Sequence, residues 1–375
     1  MNIHDFDDIR PYMPEELPEV FSGLLSDAEF RHVVGGLFSD VPSEAFEQLM
    51  YSCKSNEEFQ KRMVYPFLTK LLSQQSDGLT ADYTSLSSDK NYTFISNHRD
   101  IVLDSALLDY SLVNNGFHTV EIAIGDNLLI RPWIKDLVRV NKSFIVHRSL
   151  NMREMLMSSL KMSRYMHFAV TDKHEHLWIA QREGRAKDGN DHTQESVLKM
   201  MSMGGDLREL NIVPLSISYE YDPCDYLKAS EMQQKRDIEG FKKSQQDDLD
   251  NMKTGIFGKK GRIHYKAGRC INDYLDSLPS DMPKTEYFKA VASYIDQEIY
   301  NNYEPYAIHY VALDKHLGEK RYSDRYSKSD EEKFEAYVEG QLKKVSIANA
   351  DFAFLRSKIY EMYANPMLNR EKVFF

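Results

Sequence analysis

Tyr92-Thr93-Phe94-Ile95-Ser96-Asn97-His98-Arg99-Asp100-Ile101-Val102-Leu103-Asp104 is the stretch on which the reading of the chain turns. A short β-rich run, residues 92–96, gives way within a few positions to a helical run, residues 101–113. The alternation continues downstream. Residues 119–124 are followed by 128–140, 143–147 by 152–165, and 176–180 by 194–203, with further strand runs at 212–219 and 262–266. Short strands alternating with helices of about ten to fifteen residues predict an α/β fold, a mostly parallel sheet flanked by helices.

Outward from this centre the texture changes. Residues 1–90 read as a helical, acidic N-terminal region without a clear strand. Phe46, Leu49 and Met50 fall at i, i+3, i+4, and Phe59, Met63, Phe67 and Leu71 recur every fourth position. Residues 73–89 read as a polar linker and 225–260 as a solvated helix ending near Gly255. The α/β domain is expected over 91–270. A helical C-terminal extension is expected over 271–375, with Phe288, Val291, Ile295 and Ile299 as its apolar stripe.

With 375 residues, 42% of them hydrophobic, the chain can bury a sizeable core, and 12% aromatics exclude a disordered tail protein. No run reaches the ~18–20 apolar residues needed to cross a bilayer. The acidic start, Met1 to Asp8, is unlike a secretory leader, and Cys53, Cys224 and Cys270 are too scattered for a disulfide framework or a cysteine zinc site. A cytoplasmic protein is expected. The net charge of −11 argues against nucleic acid, yet residues 1–50 hold −9 of it. Residues 131–164 carry eight bases against Asp136 and Glu154, a local +6 suited to an anion.

His98 follows a strand and precedes a helix, where unpaired backbone N–H groups gather. An acid one turn further on can hold the imidazole in one tautomer, and Asp104 and Asp100 are the candidates. The plainer reading makes Asp100 a helix N-cap and His98 a loop residue. Three later segments share the strand-end pattern: Lys142-Ser143-Phe144-Ile145-Val146-His147-Arg148, the run from Trp178 through Glu183-Gly184-Arg185 to Gly189, and Ile212-Val213-Pro214-Leu215 to Glu220.

Together these blocks resemble the glycerolipid acyltransferase superfamily, which includes glycerol-3-phosphate and 1-acylglycerol-3-phosphate acyltransferases. Asn97-His98 to Asp104 looks like its His-x4-Asp block, with the acid one residue later than the pattern. Lys142 to Arg148 is similar to its second block, Glu183-Gly184-Arg185 to its third and Val213-Pro214-Leu215 to its fourth. The resemblance implies a glycerol-3-phosphate acyltransferase-like fold and transfer of a fatty acyl group to a hydroxyl. His98 is then the general base and Asp104 its orienting acid. Arg148, Arg185 and Lys142 hold the acceptor's phosphate, Glu183 aims an arginine, and the Gly184 amide cradles phosphate oxygen.

The implied partners are an acyl thioester donor (acyl-CoA or acyl-carrier protein) and a phosphorylated glycerol or lysolipid acceptor. Peripheral contact with the inner face of the membrane follows from such substrates, with no nucleic acid. A thiolate leaves readily, so no metal or other cofactor is implied. The rival reading is a non-catalytic acyl-lipid or acyl-carrier-binding module on the same fold. The methionines between Met152 and Met166 are candidates for an acyl-chain wall. His174 and His176 are read as a strand-edge pair rather than metal ligands.

Overall fold

The computed structural model describes residues 1–38, 40–148 and 151–374. Seven strands form one sheet: β1 (Leu79–Asp82), β2 (Thr93–Ser96), β3 (Val120–Gly125), β4 (Ser143–Val146), β5 (His176–Ala180), β6 (Ile212–Tyr219) and β7 (Ile263–Ala267). Their order is β1-β7-β6-β2-β5-β3-β4, and every neighbouring pair is parallel except β6 with β7. All residues of β2 and β6 are buried, the pattern of strands covered on both faces. The fold is therefore the expected α/β architecture with helices on both faces.

Each face has its own core. Helix Leu103–Asn114 lays Leu107, Leu108 and Leu112 on one face with Phe94, Trp178 and Val213. On the other, Met162, Tyr165 and Met166 of helix Met152–Thr171 pack with Val291, Ile295 and Ile299 of helix Lys284–Asn301. The N-terminal helices close a separate cluster around Phe21, Phe30, Met50 and Phe59, joined by Val140. The C-terminal helices Ala307–Leu317, Lys328–Leu342 and Phe352–Phe374 form another around Val311, Phe334, Ile359 and Tyr363. No helix among the described residues is long and apolar enough to cross a membrane.

Two expectations need correction. The linker over 73–89 contains β1, paired through Leu79 with Ile263 of β7, so the N-terminal ninety residues do hold a strand. A four-residue edge strand needs only backbone pairing and half-burial, and Leu-Thr-Ala-Asp offers too few alternations to reveal it. Residues 225–260 form two helices, Asp225–Asp237 and Gln245–Phe257, interrupted around Gly240 with its left-handed φ of 69°.

The topology decides where a site can lie. The chain leaves β2, builds β3 and β4 on one side, returns through β5 and then passes to β6 on the other side of β2. The carboxyl end of β2 is thus the point where the winding reverses, the usual crevice of such sheets.

Candidate active site

Beyond Ser96 the chain continues as a loop that is tied to the sheet. The Asn97 side chain donates to the Ile217 carbonyl and accepts from the Ile217 amide, both at 2.8 Å, extending the β2–β6 ladder by one residue. His98 Nδ1 then lies 2.8 Å from Asp104 Oδ2. The same oxygen accepts from the amides of Arg99 at 2.6 Å and Asp100 at 3.0 Å. The loop wraps around the carboxylate, which is how one extra residue between histidine and acid is accommodated.

Asp100 has the other role. Its Oδ1 accepts from the amides of Val102 at 2.9 Å and Leu103 at 2.8 Å, capping the start of the helix. Burial, reinforced by the neighbouring Asp104, pushes its carboxyl above the usual range. Its Oδ2 rests against Gly255, where a side chain has no room.

Bonding of Nδ1 to a carboxylate places the ring proton there and leaves the Nε2 lone pair free to accept one. Nε2 makes no hydrogen bond among the described residues. The imidazole is also packed edge-on against Trp178, ring centroids 5.6 Å apart, and Trp178 Nε1 donates to Ser96 Oγ at 3.0 Å. A buried acid, a fixed tautomer and a packed ring give His98 the geometry that general-base chemistry requires.

The other parallel strands end on the same side. Arg148, two residues beyond β4, packs its guanidinium on the Gly125 backbone at the end of β3, where a Cβ would stand 2.7 Å from Nε. Its amide donates to Asp126 Oδ1 at 3.3 Å, and its Nη1 lies 3.7 Å from Glu183 Oε1. Glu183 and Gly184 belong to the turn after β5, with Gly184 at φ 69°. Arg185 is buried beneath helix Gln245–Phe257, where Nη2 donates to Asn251 Oδ1 at 3.3 Å and Nη1 has no partner.

Of the expected residues, His98 with Asp104 and Arg148 with Glu183 are therefore brought together, and Arg185 lies on the Asp100 side of the loop. Lys142 is not with them. It precedes β4, at the amino end of the sheet, with φ 58°. Its Nζ donates to Thr119 O and Oγ1 at 3.2 Å and to Glu175 Oε2 at 2.6 Å. The block that carries both Lys142 and Arg148 is a strand, and a strand's two ends lie on opposite sides of the sheet.

Sequence reading passed over Arg99, Gln181, Arg182 and Asp191. All have buried polar atoms without partners at this end: Arg99 Nε, both amide atoms of Gln181, Arg182 Nε and both Asp191 oxygens. Asp104 Oδ1 and Arg185 Nη1 share that condition. Gln181 and Arg182 directly follow β5, and the carboxyl end of a parallel strand was the signal that could have found them.

The methionine segment divides. Met162 and Met166 are core, whereas Met152, Met155, Leu156 and Met157 are exposed. His176 accepts from the Tyr92 amide at 3.0 Å, and burial holds its pKa down at about 4, so it is a neutral structural residue.

No family model matches the chain, and no curated protein matches it by sequence. Solved structures do match, among them the crystal structure of the 1-acyl-sn-glycerophosphate (LPA) acyltransferase PlsC from Thermotoga maritima. The match covers 75% of this chain and 95% of that chain, with 13% identity and a TM-score of 0.36. A likeness of that size assigns no role to any residue here.

Proposed function

We propose that the chain is an O-acyltransferase that moves a fatty acyl group from acyl-CoA or acyl-carrier protein to a hydroxyl of a phosphorylated acceptor, either a glycerol-3-phosphate-type molecule or a lysophospholipid. The observation that carries this reading is the 2.8 Å bond from His98 Nδ1 to Asp104 with Nε2 left free at the sheet's switch point. An alcohol attacks a thioester poorly at neutral pH unaided. As the acceptor oxygen bonds to the acyl carbon, its proton passes to His98 Nε2. The C–S bond then breaks, and the departing thiolate takes that proton as the ester is released. Asp104 stabilises the imidazolium between the two transfers, a contribution of about 10²–10⁴-fold for general-base help.

Arginines supply the complement to phosphate, since guanidinium N–H pairs match phosphate oxygens. Arg148 and Arg185 hold it in this reading, joined by Arg182, and Glu183 aims Arg148 across their 3.7 Å contact. The unpartnered nitrogens of Arg182 and Arg185 support the assignment, because a buried cationic N–H left unbonded is costly. The Gly184 turn leaves its amide free to approach the same group.

The exposed Met152, Met155, Leu156 and Met157, just beyond the Arg148 end of β4, suit a fatty chain or the apolar layer under lipid headgroups. Peripheral contact with the inner face of the membrane is part of the proposal. The rival binding-module reading presumes that the histidine–acid geometry has been lost, and here the pair is intact.

The test is release of free thiol from acyl-CoA and acyl-carrier protein thioesters, with and without phosphorylated acceptors. Acceptor-dependent release is expected. No release with any donor and acceptor pair overturns the reading.

A further inference from the structure

Next to the His98 loop, on its Arg99 side, lies a small pocket lined by Asn97, Arg99, Asp191, Tyr300, Tyr303 and Asn369. It is formed where the C-terminal helices fold back over the carboxyl end of the sheet. Arg99 is 3% and Asp191 4% exposed. Neither Asp191 carboxylate oxygen has a hydrogen-bond partner, and Arg99 Nε has none either. Their charges attract, yet no Arg99 nitrogen comes within 4.0 Å of an Asp191 oxygen, so the pair balances charge without filling the carboxylate's lone pairs.

The surrounding chain holds that carboxylate in place. Tyr300 Oη donates to the Asp191 carbonyl at 2.5 Å, Asn365 Nδ2 to the Asp188 carbonyl at 2.8 Å, and Asn369 Nδ2 to Asn190 Oδ1 at 3.0 Å. Thr193 is anchored through both its amide and its hydroxyl to Asp296. Gly189, at φ 74°, lets the loop pass against the Met362 carbonyl, where a Cβ has no space. Burial pushes the Asp191 carboxyl above the usual range, and the positive charge of Arg99, with His98 and Arg182, works against that rise. A rigid, buried acceptor beside the general base has been set aside for donors that the chain itself does not supply.

Resting on the acyltransferase reading, we infer that Asp191, charge-balanced by Arg99, accepts a hydrogen bond from a second free hydroxyl of the acceptor, next to the one that His98 deprotonates. The enzyme then selects small polyol phosphates over acceptors whose neighbouring hydroxyl is esterified or oxidised. Tyr300, Tyr303 and Asn369 line that side of the pocket. A site built this way rejects an analogue lacking the hydroxyl because the buried carboxylate is left unpaired.

The experiment is thiol release by the full chain with three acceptors: glycerol 3-phosphate, dihydroxyacetone phosphate and 1-acylglycerol 3-phosphate. Only the first has a free hydroxyl adjacent to the one attacked. Its kcat/KM is expected to exceed the other two by about tenfold or more. Asp191→Asn, nearly isosteric, is expected to narrow that ratio several-fold by raising the KM for glycerol 3-phosphate. Calorimetric titration of glycerol 3-phosphate without donor should show the matching loss of affinity. Equal use of all three acceptors by the unaltered enzyme, or an Asp191→Asn variant with an unchanged ratio, overturns the inference and leaves acyl transfer standing. A changed melting temperature with unchanged selectivity gives Asp191 a purely structural role and also overturns it. Absence of release with every acceptor overturns acyl transfer itself and this inference with it.

Discussion

The two ends of the sheet bury charge in opposite ways. At the amino end, Asp109 accepts from the Val120 amide at 2.7 Å and from Gln60 Nε2 at 3.0 Å. Thr119 Oγ1 donates to Gln60 at 2.7 Å, Lys142 bonds Thr119 and Glu175, Tyr165 Oη donates to Glu121 at 2.6 Å, and Lys173 pairs with Glu121. Each of these charged side chains has its partner. At the carboxyl end, Arg99, Asp104, Arg182, Arg185 and Asp191 each keep a buried atom without one. Unpaired buried polar atoms cost about 1–3 kcal/mol each, more when charged. A fold that pairs its buried charged groups at one end and leaves charged groups unpaired at the other has been shaped at the second end by something besides its own stability.

The largest effect should come from Asp104→Asn. Loss of the charge that orients His98 and stabilises its imidazolium is expected to lower kcat for thiol release by about 10²–10⁴-fold. The acceptor KM should change far less, and kcat and KM measured separately will show the split. Arg185→Met comes next. In the proposed role of Arg185 as a donor to phosphate, its removal should raise the acceptor KM by about 10–100-fold while kcat changes little. A variant whose KM for acyl donor rises instead would place Arg185 in the donor site.

The smallest effect lies at the amino end. Burial raises the Asp109 carboxyl to about 7 from its ordinary 3.8. The folded protein therefore holds this proton more tightly than the unfolded chain. The stability it contributes is complete below pH 4 and is lost as pH rises through 7. Asp225, pushed by burial to about 7 as well, has the same profile. Asp109→Asn should flatten the fall in melting temperature between pH 4 and 7 without abolishing it, and an unchanged slope would contradict the assignment.

Much of this was legible in the sequence because local signals and tertiary roles coincided. The run 92–104 carries strand, loop, histidine, acid and helix in one stretch, so the pairing of His98 with Asp104 could be read from it. β1 was missed because an edge strand is made by its neighbour, and Leu79–Asp82 has no pattern of its own. Lys142 lies away from the site because the four residues of β4 separate it from His147 and Arg148, so one block of sequence spans both ends of the sheet. Asp191 was not legible at all. Its loop is positioned by Tyr300, Asn365 and Asn369, more than a hundred residues away in sequence.

Site and scaffold are separated by kcat/KM for acceptor-dependent thiol release by His98→Ala and Lys142→Met, side by side, with melting temperatures. His98→Ala should lose about 10²–10⁴-fold in rate and little stability. Lys142→Met, breaking a buried ion pair, should lose about 3 kcal/mol of stability while its folded fraction keeps kcat/KM near that of the unaltered enzyme. Undiminished release by His98→Ala, or a loss of rate in Lys142→Met as large as in His98→Ala with no loss of stability, would contradict the account.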